Sequence, residues 1–127
     1  MLAEALTCLA LNIYHEARGE GPEGMMAVGQ VTINRVADDR WPDTVCEVVY
    51  QPRQFSWTHT EPPVTEQAAW EQAQAVAAEV LDGTADTILG PDAVYFHAAG
   101  TTPYWSDDMH LIGRIGDHIF YAEQDAP

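Results

Sequence analysis

The densest cluster of reactive side chains in the sequence is Tyr14-His15-Glu16-Ala17-Arg18-Gly19-Glu20. Leu2, Leu6, Leu9 and Ile13 precede it at helical spacing, and at 100° per residue Glu16 falls about 50° from the centre of that apolar face. Its carboxyl therefore lies at the margin of a buried stripe. Lost hydration and the negative end of the helix dipole both favour the neutral acid there. A carboxyl that stays protonated near neutral pH is what a general acid requires. The competing reading is a solvated carboxylate at a helix end, paired with Arg18. Glu20 lies beyond Gly19, which breaks the helix, so two roles stay open for it: a second carboxylate, or a loop residue accepting hydrogen bonds from backbone amides.

Other chemistries fit less well. His15-Glu16 begins like the zinc pattern H-E-x-x-H, but Gly19 stands where the second histidine is needed. His97, His110 and His118, with Asp107, Asp108 and Asp117 nearby, match no standard zinc spacing. No metal and no cofactor is expected. Neither Cys8 nor Cys46 lies in a nucleophile motif, and no G-x-S-x-G or phosphate loop occurs. The two cysteines permit one bridge, which would close a loop of about 39 residues; Cys8 fits equally well as a small buried thiol on an apolar helix.

The aromatic residues are the second clue. Phe55, Trp57, Tyr95, Phe96, Tyr104 and Trp105 are interleaved with Gln54, Ser56, His97 and Thr102. Stacking faces beside short hydrogen-bonding groups suit sugar rings, whose faces are apolar and whose edges are hydroxyls. Gln54, Phe55, Ser56, Trp57, Tyr95, His97 and Trp105 are the candidate substrate contacts. Core packing competes for about half of the aromatic residues, with Phe96 and Phe120 the strongest core candidates.

The elements that must position these groups follow from periodicity. One helix runs from Leu2 to Ala17 and stops at Arg18-Gly19-Glu20-Gly21-Pro22. A second starts near Pro22, passes through Met25, Val28, Thr32 and Val36, and ends near Asp38-Asp39. Asp43 or Thr44 caps a short apolar stretch from Val45 to Tyr50. Gln51 to Trp57 is too proline-bounded for a helix and suits a short strand or extended loop. A third clear helix runs from Thr65 to about Leu81, with Asp82-Gly83 as its stop. Asp92 to His97 is strand-like, Ala98 to Pro103 a loop, and Ile119-Phe120-Tyr121 a partner strand. The class is α+β, mostly helical with a small antiparallel sheet.

The chain has 127 residues, which fits one domain spanning 1–127 that buries roughly two-thirds of its unfolded surface. Twenty acidic residues face five arginines and no lysine, for a net charge of −15. Such a surface repels phosphate backbones, so nucleic acid is not an expected partner. No run approaches the roughly 18 apolar residues of a membrane span. The first residues, Met1-Leu2-Ala3-Glu4-Ala5-Leu6, lack the basic and apolar regions of a signal peptide.

The motifs resemble a known family. Asn12 to Glu20, Gly24 to Val36, Pro52-Arg53-Gln54-Phe55-Ser56, Ala93 to His97 and Ile115 to Phe120 are similar, in that order, to segments of the cell wall hydrolase family of spore cortex-lytic (SleB-type) enzymes. The resemblance implies a lysozyme-like fold and cleavage of the β-1,4 bond between N-acetylmuramic acid and N-acetylglucosamine in peptidoglycan. It also implies that Glu16 is the catalytic acid/base, and that cleavage is a lytic transglycosylation leaving 1,6-anhydromuramic ends. Plain hydrolysis is the nearest alternative. A non-catalytic glycan-binding module and a metal-dependent amidase built on the three late histidines are the rival classes. Spore enzymes of this type carry a secretion signal and a separate binding domain. Neither is read here, so the expectation is a monomeric, phage-lysin-like enzyme held in the cytoplasm until released to the wall, with a fragment of an exported enzyme as the alternative. The acidity would then oppose approach to an anionic wall, and activity should rise as salt screens that repulsion.

Overall fold

The computed structural model describes residues 2–84 and 87–124. Its frame is three helices: α1 (Leu2–Ala17), α2 (Pro22–Val36), and a long helix, Gln67–Asp82, that follows two short ones. Leu9, Ala10, Ile13 and Ala17 of α1 are buried at spacings of three and four, and Met25, Val28 and Val31 of α2 meet them. Each fully buried Leu, Ile, Val or Met side chain contributes about 1.5–3 kcal/mol relative to exposure. Gly29 lets the helices approach closely. A Cβ there would stand 3.0 Å from Ile13 Cδ1 and 3.4 Å from Val80 Cγ2.

The short helices are α3 (Val45–Val49) and α4 (Trp57–Thr60), which makes the long one α5. Thr44 caps α3 by accepting the Glu47 N–H at 3.2 Å, and a Cys8–Cys46 disulfide fastens α3 to α1. Of the two readings of the cysteines, the bridged one is the structure's. Gln51 to Ser56 forms turns, not a strand, because no strand among the described residues pairs with it and Arg53 takes a left-handed conformation (φ 69°). α5 starts two residues later than its pattern suggests: the buried Tyr14 hydroxyl accepts the N–H groups of Thr65 and Glu66 at 3.1 and 3.0 Å.

The sheet has three antiparallel strands, β1 (Tyr95–Ala98), β2 (His110–Ile115) and β3 (His118–Ala122), in the order β1-β3-β2. β1 begins three residues later than expected. The side chains of Asn34 and Arg35 take the carbonyls of Gly90, Ala93 and Val94, so the segment before Tyr95 is held to α2. Phe96 pairs with Phe120 in register, and Phe120 is fully buried while Phe96 is half-buried. β2 escaped the periodicity reading. Its register against β3 slips between Leu111 and Gly113, so Ile112 is an extra, bulged residue and the alternation of faces is lost.

Candidate active site

A cleft of about 650 Å³ opens where the C-terminal ends of α1 and α2 meet the 51–56 turns, β1, β3 and the loop carrying Tyr104 and Trp105. Its wall inverts the charge of the molecule. Among the described lining residues Glu16 is the one carboxylate, although the chain holds twenty, whereas two of the five arginines, Arg35 and Arg53, face it.

Glu16 is half-buried in the last turn of α1. Burial raises its pKa above the ordinary carboxylate value, and the nearby His118 offsets this only in part. Next to it His15 is stacked on Trp57, ring centroids 4.7 Å apart; burial and then Arg18 lower its pKa, so it faces the cleft as a neutral ring.

Glu20 does not line the cleft. Its Oε1 accepts the Asp117 N–H at 2.8 Å and lies 2.9 Å from His118 Nδ1, with both side chains about nine-tenths buried. Burial alone would raise its pKa, but these donors outweigh burial and hold it below the usual value. In this arrangement Glu20 is a loop residue whose carboxylate binds a backbone amide and an imidazole. His118 spends Nδ1 on Glu20 and presents the rest of its ring to the cleft beside Glu16.

On the opposite wall Arg35 is 4% exposed. Nε donates to Val94 O at 2.7 Å and Nη1 to Gln54 Oε1 at 3.1 Å, and its guanidinium lies 5.4–5.8 Å from the ring centres of Trp41, Phe55 and Tyr95. Desolvation lowers its pKa to about 10, which leaves it charged at neutral pH. Behind it the Tyr95 hydroxyl donates to Glu123 at 2.6 Å; burial and that carboxylate push the phenol up to about 12.

Of the candidate contacts, Gln54, Phe55, Tyr95, His97 and Trp105 line the cleft. Ser56 and Trp57 do not. Ser56 is exposed outside the lining, and the Trp57 indole N–H donates to the buried Asn12 Oδ1 at 2.9 Å, which turns the ring into the core, where it supports His15. His97 offers only a ring face, since Nδ1 lies 2.8 Å from Ala98 O and Nε2 2.8 Å from the Tyr121 hydroxyl. His110 is exposed on β2 and away from the cleft. Arg35, Arg53, Met109 and His118 were missed as lining residues. For Arg35 a signal existed: a charged residue continues the stripe Val28-Thr32, where a core position would be apolar. Among the described residues no group of three or more His, Cys, Asp or Glu side chains is placed to hold a metal ion, and no helix is long and apolar enough to cross a membrane.

Known proteins share this fold. Residues 19–121 match the cell wall hydrolase family. The fold superposes on the catalytic domain of the germination-specific lytic transglycosylase SleB of Bacillus anthracis with a TM-score of 0.78, at 28% identity over 92% of this chain and 93% of that one. On the catalytic domain of the Bacillus cereus SleB protein the TM-score is 0.79, at 29% identity over 94% and 90% of the two chains. In sequence it is 35% identical to the spore cortex-lytic enzyme of Oceanobacillus iheyensis over 88% of this chain, which spans 39% of that protein. It is 31% identical to the cell wall hydrolase CwlJ of Bacillus subtilis, covering 84% of this chain and 76% of that one. The family match runs over most of the length of the chain, from residue 19 to 121, and the chain belongs to the cell wall hydrolase family.

Proposed function

We propose that this domain cleaves the glycan strands of peptidoglycan at the β-1,4 bond between N-acetylmuramic acid and N-acetylglucosamine, as a lytic transglycosylase with Glu16 as general acid and then base. The observation that carries the proposal is the isolation of Glu16 as the one carboxylate among the described lining residues, with its pKa raised by burial. The protonated carboxyl gives its proton to the glycosidic oxygen as the C1–O bond breaks, and positive charge develops on C1 and the ring oxygen. The carboxylate so formed then takes the proton of the muramic C6 hydroxyl, and O6 bonds to C1. The carboxyl ends protonated, ready for another turn. Glycosidases that use a nucleophilic carboxylate or an activated water need a second carboxyl group, ionised, roughly 5–9.5 Å from the first. Glu20 is consumed by Asp117 and His118, which supports the one-carboxylate route.

The aromatic rings of Tyr104, Trp105 and Phe96 suit the apolar faces of successive sugars, while the buried Phe55 backs Phe96 from the core. The Cys8–Cys46 bridge supports action in an oxidising, extracytoplasmic setting, since such bonds persist there and are reduced in most cytosols. The test is digestion of purified peptidoglycan followed by mass spectrometry of the muropeptide ends. Anhydromuramic ends from the unaltered protein, and none from Glu16→Gln, are expected. Reducing muramic ends alone would replace transglycosylation with hydrolysis, and equal cleavage by Glu16→Gln would remove Glu16 from the chemistry.

A further inference from the structure

Arg35 and Arg53 differ from the other arginines of this chain. Arg18 has Glu66 at 3.9 Å, Arg40 has Asp38 at 2.6 Å and Glu123 at 3.1 Å, and Arg114 has Asp117 at 3.6 Å. Among the described residues no carboxylate lies within ion-pair distance of Arg35 or Arg53, in a molecule whose net charge is −15. Both face the same cleft. A guanidinium as buried as Arg35, with no anion beside it, has lost hydration without a compensating charge, which is costly unless something else supplies that charge.

Gln54 links the two. It follows Arg53 in sequence, and its Oε1 accepts from Arg35 Nη1. A guanidinium has no acceptor, so the amide oxygen must face Arg35 and the amide NH2 is left for the cleft. Arg35 Nη2 makes no hydrogen bond with any described group. The neighbouring polar groups are engaged, Tyr95 by Glu123 and both His97 nitrogens by Ala98 and Tyr121. The side-chain donors left without a partner among the described residues on this wall are Arg35 Nη2, the Gln54 amide and the Arg53 guanidinium. Arg53 is held there in a left-handed conformation that costs a non-glycine residue roughly 1–2 kcal/mol.

A corner with two unpaired guanidiniums and a free amide donor suits an anionic acceptor. An acetamido or hydroxyl oxygen would take one of these donors without matching their charge; a carboxylate brings two acceptor oxygens and a negative charge to two unpaired guanidiniums. Resting on the glycan-cleavage reading above, we propose that Arg35, Gln54 and Arg53 form a subsite for a carboxylate carried by the glycan strand, either the free lactyl carboxylate of muramic acid or a carboxylate of its peptide stem.

The experiment measures binding separately from cleavage. Soluble strands are prepared without peptides and with peptides, each with carboxylates free or converted to methylamides, and titrated calorimetrically into Glu16→Gln. The carboxylate form should bind about tenfold tighter than its methylamide. A preference in the peptide-free pair assigns the lactyl carboxylate, and a preference confined to the peptide-bearing pair assigns the stem. Adding Arg53→Gln should bring the ratio below about threefold. Arg53 is exposed, and circular dichroism checks that the variant is folded. A ratio within twofold in both pairs, or one that Arg53→Gln leaves unchanged, overturns the subsite. Cleavage by the unaltered protein is scored on the same strands by mass spectrometry, so a domain that cleaves without the preference loses only the subsite. A domain that shows the preference but cleaves nothing loses only the cleavage reading.

Discussion

His118 Nδ1 lies 2.9 Å from Glu20 Oε1, and the two residues are 98 positions apart. The same oxygen accepts the Asp117 N–H, so the loop leaving α1, four residues past Glu16, is tied to the turn between β2 and β3. Gly116 in that turn has φ 56°, and a Cβ on it would stand 2.7 Å from Glu20 Oε1. The tie orients the imidazole that faces Glu16.

Glu20→Ala strands a backbone N–H and a buried imidazole, a loss of about 1–3 kcal/mol. Glu20→Gln keeps an acceptor and should recover most of it. The carboxyl of Glu20 is held below its reference value of 4.5, so its contribution is present above that pH and is lost as pH falls through the depressed value. The deficit of Glu20→Ala, read from urea midpoints, should therefore shrink in acid. A deficit that is constant from neutral to strongly acidic pH would count against an ionised Glu20 carboxylate as the acceptor.

Glu16→Gln should lower kcat at least about 100-fold, the lower range for losing a general acid, and should raise stability at neutral pH by about 1 kcal/mol, as removal of a strained functional group commonly does. The raised pKa sets the sign: the native state binds more protons than the unfolded chain above pH 4.5, so ionisation of Glu16 erodes stability as pH rises. Thermal melts of the two proteins should converge below the unfolded-state pKa. The kcat of the unaltered protein should fall on an alkaline limb lying above the ordinary carboxylate range.

Reduction of Cys8–Cys46, separated by 38 positions, should cost about 4 kcal/mol on the loop-entropy relation. Melting with and without dithiothreitol measures it, with Cys8→Ser as the matched variant. An unchanged Tm would show that the bridge constrains nothing that folding does not already constrain.

Tyr104 and Trp57 should separate contact from support. Tyr104 is 93% exposed at the cleft mouth, so Tyr104→Ala should leave Tm within about 1 °C and raise KM severalfold, the size of one aromatic contact. Trp57→Phe removes the donor to Asn12 and should cost about 1–2 kcal/mol of stability. If Tyr104→Ala lowers Tm by as much as Trp57→Phe does, the division fails.

Activity on insoluble wall should rise between roughly 10 and 100 mM salt as the Debye length shortens from about 30 to 10 Å. The repulsion comes from the whole acidic body, whereas the positive corner of the cleft acts only at contact. A monotonic fall in activity over that range would show that attraction governs approach.

Much of the frame was legible because helices are local. The stripes Leu9-Ile13, Met25-Val28 and Ala73-Val76-Ala77-Val80 repeat at the helical period, and the flanking glycines and Pro22 mark their ends. The same periodicity put Glu16 at the edge of a buried face, where it lies. Trp57 illustrates the limit. An aromatic between Ser56 and Thr58 reads equally well as a sugar platform or a core residue, and Asn12, 45 positions away, decides between them.

The sequence by itself determined the α+β class, the three principal helices, the strand-forming runs that become β1 and β3, and that Glu16 sits at the edge of a buried helix face, because each depends on neighbours within one or two turns or on one alternating run. Only the tertiary structure decided that Cys8 meets Cys46, that Glu20 is spent on the β2–β3 turn, that Ile112 is a bulge, and that the cleft pairs one acid with two arginines. These relations join residues far apart in the chain, where side-chain direction, hydrogen-bond partners and dielectric are set by what folding brings alongside. The net charge of −15 is a sum over the sequence, but where its few positive groups face depends on the fold.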